Sequence, residues 1–178
     1  MKIKNSSSHF GMISKLFHWL MAALFIAQIG IALYMDEMQR GPDKWEMIGL
    51  HKAIGVLLLL CVLARIVWHR ISAAPVPLGM GLMLSLAKLG HHALYLLMLI
   101  MPISGVIMSV SGGHNINFFD FFTISGWAEK SPTINSISGT IHEVAATALY
   151  LVLAAHILAA LYHHFVVKDE TLKRITSG

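Results

Sequence analysis

The chain has 178 residues, 56% of them hydrophobic and only 12% charged, and a formal net charge of +4. A soluble domain carries about 25% charged residues, and one short domain cannot hide this much apolar side chain from water. Soluble enzyme, disordered tail and nucleic-acid-binding module are set aside, and the composition is that of an integral membrane protein.

In chain order, residues 1–15 are polar and lack an apolar core followed by a small-residue cleavage site. The segment after them is therefore expected to be a retained membrane helix and not a signal peptide. Spanning a bilayer core of about 30 Å takes roughly 20 apolar residues, and four stretches qualify. Residues 16–35 carry no charge, and 47–68 are apolar apart from Lys52 and Arg65, whose long stems reach toward the membrane surfaces. Residues 89–119 are uncharged, but Ser111-Gly112-Gly113-His114-Asn115 is turn chemistry, so the third helix is expected to end near Val110. Pro102 within it predicts a kink. The fourth stretch, 144–167, is expected to begin a turn earlier, near Ser138.

The predicted architecture is all-α: one membrane domain over residues 1–178, a four-helix bundle with spans near 15–35, 47–69, 85–110 and 138–166. Residues 36–46 form a charged connection, and 70–84 one with Pro75, Pro77, Gly79 and Gly81. Residues 111–137 carry Phe118-Phe119-Asp120-Phe121-Phe122 and Trp127, an aromatic stretch suited to the membrane interface.

Four crossings put both termini on one side. With the N-terminus inside, nine basic residues fall inside (Lys2, Lys4, Lys15, Arg65, Arg70, Lys88, Lys168, Lys173, Arg174) and four outside (Arg40, Lys44, Lys52, Lys130). The acidic residues run the other way, with Asp169 and Glu170 inside and seven outside. The positive-inside rule then predicts both termini in the cytoplasm, in a multi-pass membrane protein.

The 11 His against nine Asp and Glu need a chemical account. The only cysteine, Cys61, lies in an apolar run, so intramolecular disulfides, Cys-ligated Fe–S clusters and C-x-x-C-H haem attachment are ruled out. Any haem is held non-covalently. His9, His69 and His114 fall in loops or at helix ends and read as solvated polar groups. His18 opens the first helix, His51 opens the second, and His142 and His156 lie on the fourth, fourteen residues apart. That spacing returns to within roughly 40° of one helix face and climbs about 21 Å. His142 is then level with His51, and His156 with His18, giving one imidazole pair per leaflet.

Three explanations compete for these pairs. Interhelical hydrogen bonding is the ordinary one, at about 0.6–2 kcal/mol per bond. A zinc or transition-metal site normally recruits a carboxylate or Cys, with three or four ligands at one height. Bis-imidazole haem needs only two opposed His and room between helices. Gly55 and the alanines at 145, 146, 154, 155, 159 and 160 supply small residues near both layers. Two b-type haems, with axial pairs His18/His156 and His51/His142, account for the pattern best. The 11 Met are expected to be filler, since no Met ligand is needed.

The sequence also resembles the bacterial cytochrome b561 family of four-helix, di-haem membrane proteins. The resemblance rests on Phe17-His18-Trp19, Gly49-Leu50-His51-Lys52-Ala53-Ile54-Gly55, Leu89-Gly90-His91 with Leu94-Tyr95, His142-Glu143, and His163-His164-Phe165 leading to Lys168-Asp169 and Thr171-Leu172. It implies haem ligands from the first, second and fourth helices, on His18, His51, His142 and His156. It also implies electron exchange with ubiquinone, and in some members oxidation of superoxide on the outer side.

His91 and His163 fall within the shared motifs, and binding a haem propionate or a quinone carbonyl competes with a plain interfacial role. Lys52, basic on the poorly basic side, is a candidate for an outer propionate, and Lys15, Arg65 and Lys88 are inner candidates that topology already explains. The expected function is electron transfer across the bilayer to or from ubiquinone, as a superoxide:ubiquinone oxidoreductase. The expected partners are membrane lipid, ubiquinone and, outside, superoxide; the sequence names no protein partner. The net outer charge of −3 opposes an anionic substrate unless Lys52, Arg40, Lys44 and Lys130 cluster. Two other readings are a haem-bearing membrane anchor for a separate dehydrogenase or hydrogenase, and a His-lined proton or metal carrier without colour.

Overall fold

The computed structural model describes residues 2–177. Four long helices, α1 (Met12–Glu37), α2 (Pro42–Ile71), α3 (Gly81–Ser111) and α4 (Pro132–Tyr162), make up most of it. The shortest has 26 residues, about 39 Å of helix, and all four are long and apolar enough to cross a membrane. Their outward faces carry Leu16, Ile26, Leu33, Val67, Leu96, Leu151 and Leu158, all exposed. Apolar surface on that scale suits lipid as the surrounding solvent.

The helices begin earlier than the apolar runs alone suggest, because the starts are set by caps. Pro42 occupies the first turn of α2 and Asp43 stands near its positive end, so only residues 38–41 connect α1 to α2. At α4 the Ser131 hydroxyl accepts from the Ile134 N–H and Pro132 follows it, which starts the helix six residues before Ser138. The third helix runs unbroken through Pro102.

The helices pack α3 on α4, α1 on α2 and α2 on α3, while α1 and α4 scarcely touch. The middle of the bundle is filled by Met21, Phe25, Leu58, Val62, Leu94, Met101, Ala145 and Leu149. These residues lie in sequence between the two layers of histidines, so a dry apolar plug separates them.

The two ends of the bundle differ. One end carries a hairpin, β1 (Ile116–Phe118) and β2 (Phe122–Ile124), antiparallel with Phe118 opposite Phe122. The sequence reading has only an aromatic loop here. The turn needs left-handed backbone at Phe119 and Asp120 (φ 44° and 62°), the hand that matches strand twist. Ile116 anchors the hairpin by packing with Val56 and Val110.

The other end gathers both termini. Beyond α4 a π-helical turn, His163–Val167, stops at Lys168 in the left-handed conformation. The tail then folds back through a short helix, α5 (Lys173–Thr176). Trp19 Nε1 donates to the Ile175 carbonyl at 3.0 Å, and Arg174 donates to the Val76 carbonyl at 2.8 Å. Asn5 ties the N-terminal segment to Ser72 and Ala73.

Candidate functional site

At the hairpin end, α2 presents His51 and α4 presents His142, with ring centres 6.2 Å apart and planes at 78°. His142 Nδ1 lies 2.7 Å from the Met101 carbonyl oxygen. A carbonyl only accepts, so Nδ1 carries the hydrogen and the Nε2 lone pair is left for a ligand. Gly105, one turn further along α3, makes the approach possible. A Cβ there would stand 2.8 Å from His142 Cε1, closer than any side chain tolerates.

His51 is held from the other side. Gln28 of α1, almost fully buried, donates from Nε2 to the His51 carbonyl at 2.8 Å. Gln28 Oε1 and His51 Nδ1 are both buried without a hydrogen-bond partner.

The two imidazoles line a cavity of about 580 Å³ with Phe25, Gly55, Pro102 and Ala146 in its walls. Of the small residues noted in the sequence, Gly55 and Ala146 open this space, whereas Ala145 fills the apolar core. Lys52 also borders a second hollow of about 440 Å³ toward the hairpin, lined with Trp45, Ser109, His114, Asn117 and Asn135. Lys44 and Lys130 are engaged elsewhere: Lys44 donates to the Met38 carbonyl, and the Lys130 stem packs on Gly113. Of the four outer basic residues whose clustering would favour an anionic substrate, Lys52 lines the hollow, and His114 is also in its wall.

At the termini end, His18 of α1 and His156 of α4 stand 6.3 Å apart, with planes at 58°. His91 of α3 comes within 5.5 Å of His156. Arg65 of α2 points into this group, with guanidinium nitrogens 3.4 and 3.5 Å from His18 Nδ1 and its carbon 5.9 Å from the centre of the Tyr95 ring. His163 lies outside the group: its Nδ1 is 2.6 Å from an Asp169 carboxylate oxygen, in the tail. Burial pushes the Asp169 pKa up, but hydrogen bonds from Thr171 and His163 outweigh it and hold the carboxyl below its ordinary range. Asp169 also accepts from the Thr171 N–H at 2.8 Å.

Sequence reasoning left out Gln28, Gly105 and the Met101 carbonyl. A lone Gln and a lone Gly within apolar helices were the available signals. The carbonyl had none.

A metal–imidazole bond is about 2 Å, so imidazoles bound to opposite sides of one iron have ring centres about 6 Å apart. Both pairs stand at that separation, and the hairpin-end pair faces a cavity with a free Nε2 on His142. Among the described residues no group of three or more His, Cys, Asp or Glu converges to hold a bare metal ion. The residues fit b-type haem.

The fold and site define a class: a four-helix membrane cytochrome of the b type. The model of the family described as prokaryotic cytochrome b561 matches residues 9–178. Cytochrome b561 homolog 2 of Escherichia coli K12 is 34% identical over 98% of this chain and 95% of its own length. Cytochrome b561 homolog 1 of the same organism is 32% identical over 89% of this chain and 91% of its own. The probable superoxide oxidase CybB of Yersinia pestis is 30% identical over 89% and 90%. The chain belongs to the prokaryotic cytochrome b561 family, and with it to the multi-pass membrane proteins that bind b-type haem and transfer electrons.

Proposed function

We propose that the chain binds two b haems and carries electrons between a donor at its outer face and ubiquinone, with superoxide as that donor. The hairpin end is then the outer face and both termini are cytoplasmic, the orientation that the nine-to-four division of basic residues favours. When bound, haem supplies reversible one-electron chemistry at iron. The protein's part is to ligate, orient and insulate.

His51 with His142, and His18 with His156, would hold the two haem irons. With two imidazoles on each iron, small molecules would react without binding to the metal. Met101 fixes the His142 tautomer, Gly105 gives its ring room, and Gln28 braces His51. Lys52, between the cavity and the outer hollow, offers a cation to a propionate or to an approaching anion. His91, exposed beside His156, is suited to hydrogen-bond a quinone oxygen.

The observation that carries this reading is the pair of imidazole couples at matching separations, 6.2 and 6.3 Å, one at each end of the bundle. The superoxide assignment rests on the Lys52-bearing hollow next to the cavity of the outer couple and on the name of the Yersinia relative. The balanced reaction is two superoxide anions, one ubiquinone and two protons giving two dioxygen and one ubiquinol. Its test is superoxide decay by the purified protein with ubiquinone present. We expect one ubiquinol for every two superoxide anions lost, at a rate far above that of free haem. A rate no greater than free haem rejects superoxide as the donor.

A further inference from the structure

Arg65 is a strongly basic side chain aimed into the termini-end histidine layer of the bundle. It follows His51 by fourteen residues on α2, the same step that separates His142 from His156 on α4, which brings it level with the termini-end pair. Positive-inside topology explains a basic residue at this depth, but a topological anchor sends its head group outward to headgroups and water. Here the guanidinium turns inward, against His18 Nδ1 and beside the Tyr95 ring, and Arg65 Nε is buried without a hydrogen-bond partner.

No anion among the described residues answers it. Among the described residues the carboxylates of this end are engaged elsewhere, Asp169 with His163 and Thr171 and Glu170 with Lys173. A cation held in a bundle without a counter-charge is costly, and such residues mark binding sites. Its present neighbour does not solve the problem. If His18 ligates through Nε2, its hydrogen sits on Nδ1, and a guanidinium has only donors. Two donors then face each other, and the guanidinium requires an acceptor from outside the chain.

We propose that Arg65 is the docking cation of the termini-end site and pairs with a carboxylate of the haem held between His18 and His156. The inference rests on the two-haem reading above. A planar fork of donors matches a carboxylate with two parallel bonds, which fixes the orientation of the bound group as well as its charge.

The test is a redox titration of the purified, haem-loaded protein and its Arg65→Gln variant in quinone-free detergent, with haem counted per chain. The component to watch is the one that a His18→Ala change removes. In Arg65→Gln it is expected to titrate at lower potential, because a positive charge near the iron favours the reduced form. Its haem is expected to be lost about ten- to a hundredfold more readily, the scale of a lost charge-assisted hydrogen bond, with the other component unchanged. Unaltered potential and retention of that component overturn the proposal. A difference from wild type that arises only after ubiquinone is added also overturns it, by assigning the guanidinium to the quinone. Should the Gln variant fail to accumulate, Arg65→Lys keeps the charge and loses the fork. It should then hold its potential near that of wild type while shedding this haem faster, and wild-type retention overturns the proposal. Fewer than two haems in the wild type defeats the underlying reading, which separates that failure from a failure of Arg65.

Discussion

The two histidine pairs share a separation and differ in almost everything around it. The hairpin-end pair is braced by neutral groups, with a carbonyl behind His142, a glutamine behind His51 and a glycine cleared for the ring. The termini-end pair has cationic and imidazole neighbours, Arg65 against His18 and His91 against His156, and among the described residues no backbone acceptor is seen on either ring. A neutral brace fixes ring orientation before anything binds. A cationic neighbourhood is completed only by an anionic group brought from outside. One bundle therefore offers two environments to the same cofactor: at the second a cation touches a histidine ring, whereas at the first Lys52 lines the cavity around a pair braced by neutral groups.

That contrast breaks most sharply at Gly105. A methyl group there meets the His142 ring at 2.8 Å, so Gly105→Ala should displace the imidazole and cut bound haem from two per chain to one. The surviving component should be the one removed by His18→Ala. If Gly105→Ala holds both haems, the ring is not confined as described.

Gln28→Leu is a milder change at the same end. It removes the Gln28 bond to the His51 carbonyl, and loss of an outer partner of a ligating residue typically weakens metal binding by about 10- to 100-fold. Haem loss to apomyoglobin should rise on that scale for the hairpin-end component alone. Equal loss from both ends would mean that Gln28 acts on the bundle as a whole.

The smallest effect concerns the tail under the termini end. The Asp169 carboxyl has its pKa below its ordinary value of 3.8, so its bonds contribute stability above that value and lose it as pH falls through the folded one. Pepsin cleavage within residues 163–177 should therefore accelerate in wild type as pH drops below about 4. Asp169→Ala, already lacking those bonds, should change little over the same range. A parallel response of the two proteins would remove Asp169 as the tail's fastener.

Much of this was legible in the sequence, because a membrane restricts the solutions. The four helices follow from apolar length, and the pairing of His142 and His156 with partners on other helices follows from a fourteen-residue step. What escaped has physical reasons. The starts of α2 and α4 are set by Pro42 and by Ser131-Pro132, so apolar length alone places them late. The hairpin depends on left-handed backbone at Phe119 and Asp120, a conformation that Phe seldom adopts. Arg65 reads as a topological anchor until its direction is known, and His114 reads as a solvated loop residue until it is found lining the hollow beside Lys52. His163 has the spacing to line the bundle, but the π-helical turn and the return of the tail give its Nδ1 to Asp169.

The proposed function depends on two haems held by two imidazole pairs. A reduced-minus-oxidised spectrum of the purified protein, with haem counted per chain and repeated for His51→Ala and His156→Ala, tests that directly. The account predicts two low-spin b haems with separable midpoint potentials in the wild type, and loss of a different component in each variant. A colourless protein, a single haem per chain, or two full low-spin spectra in either variant would contradict it.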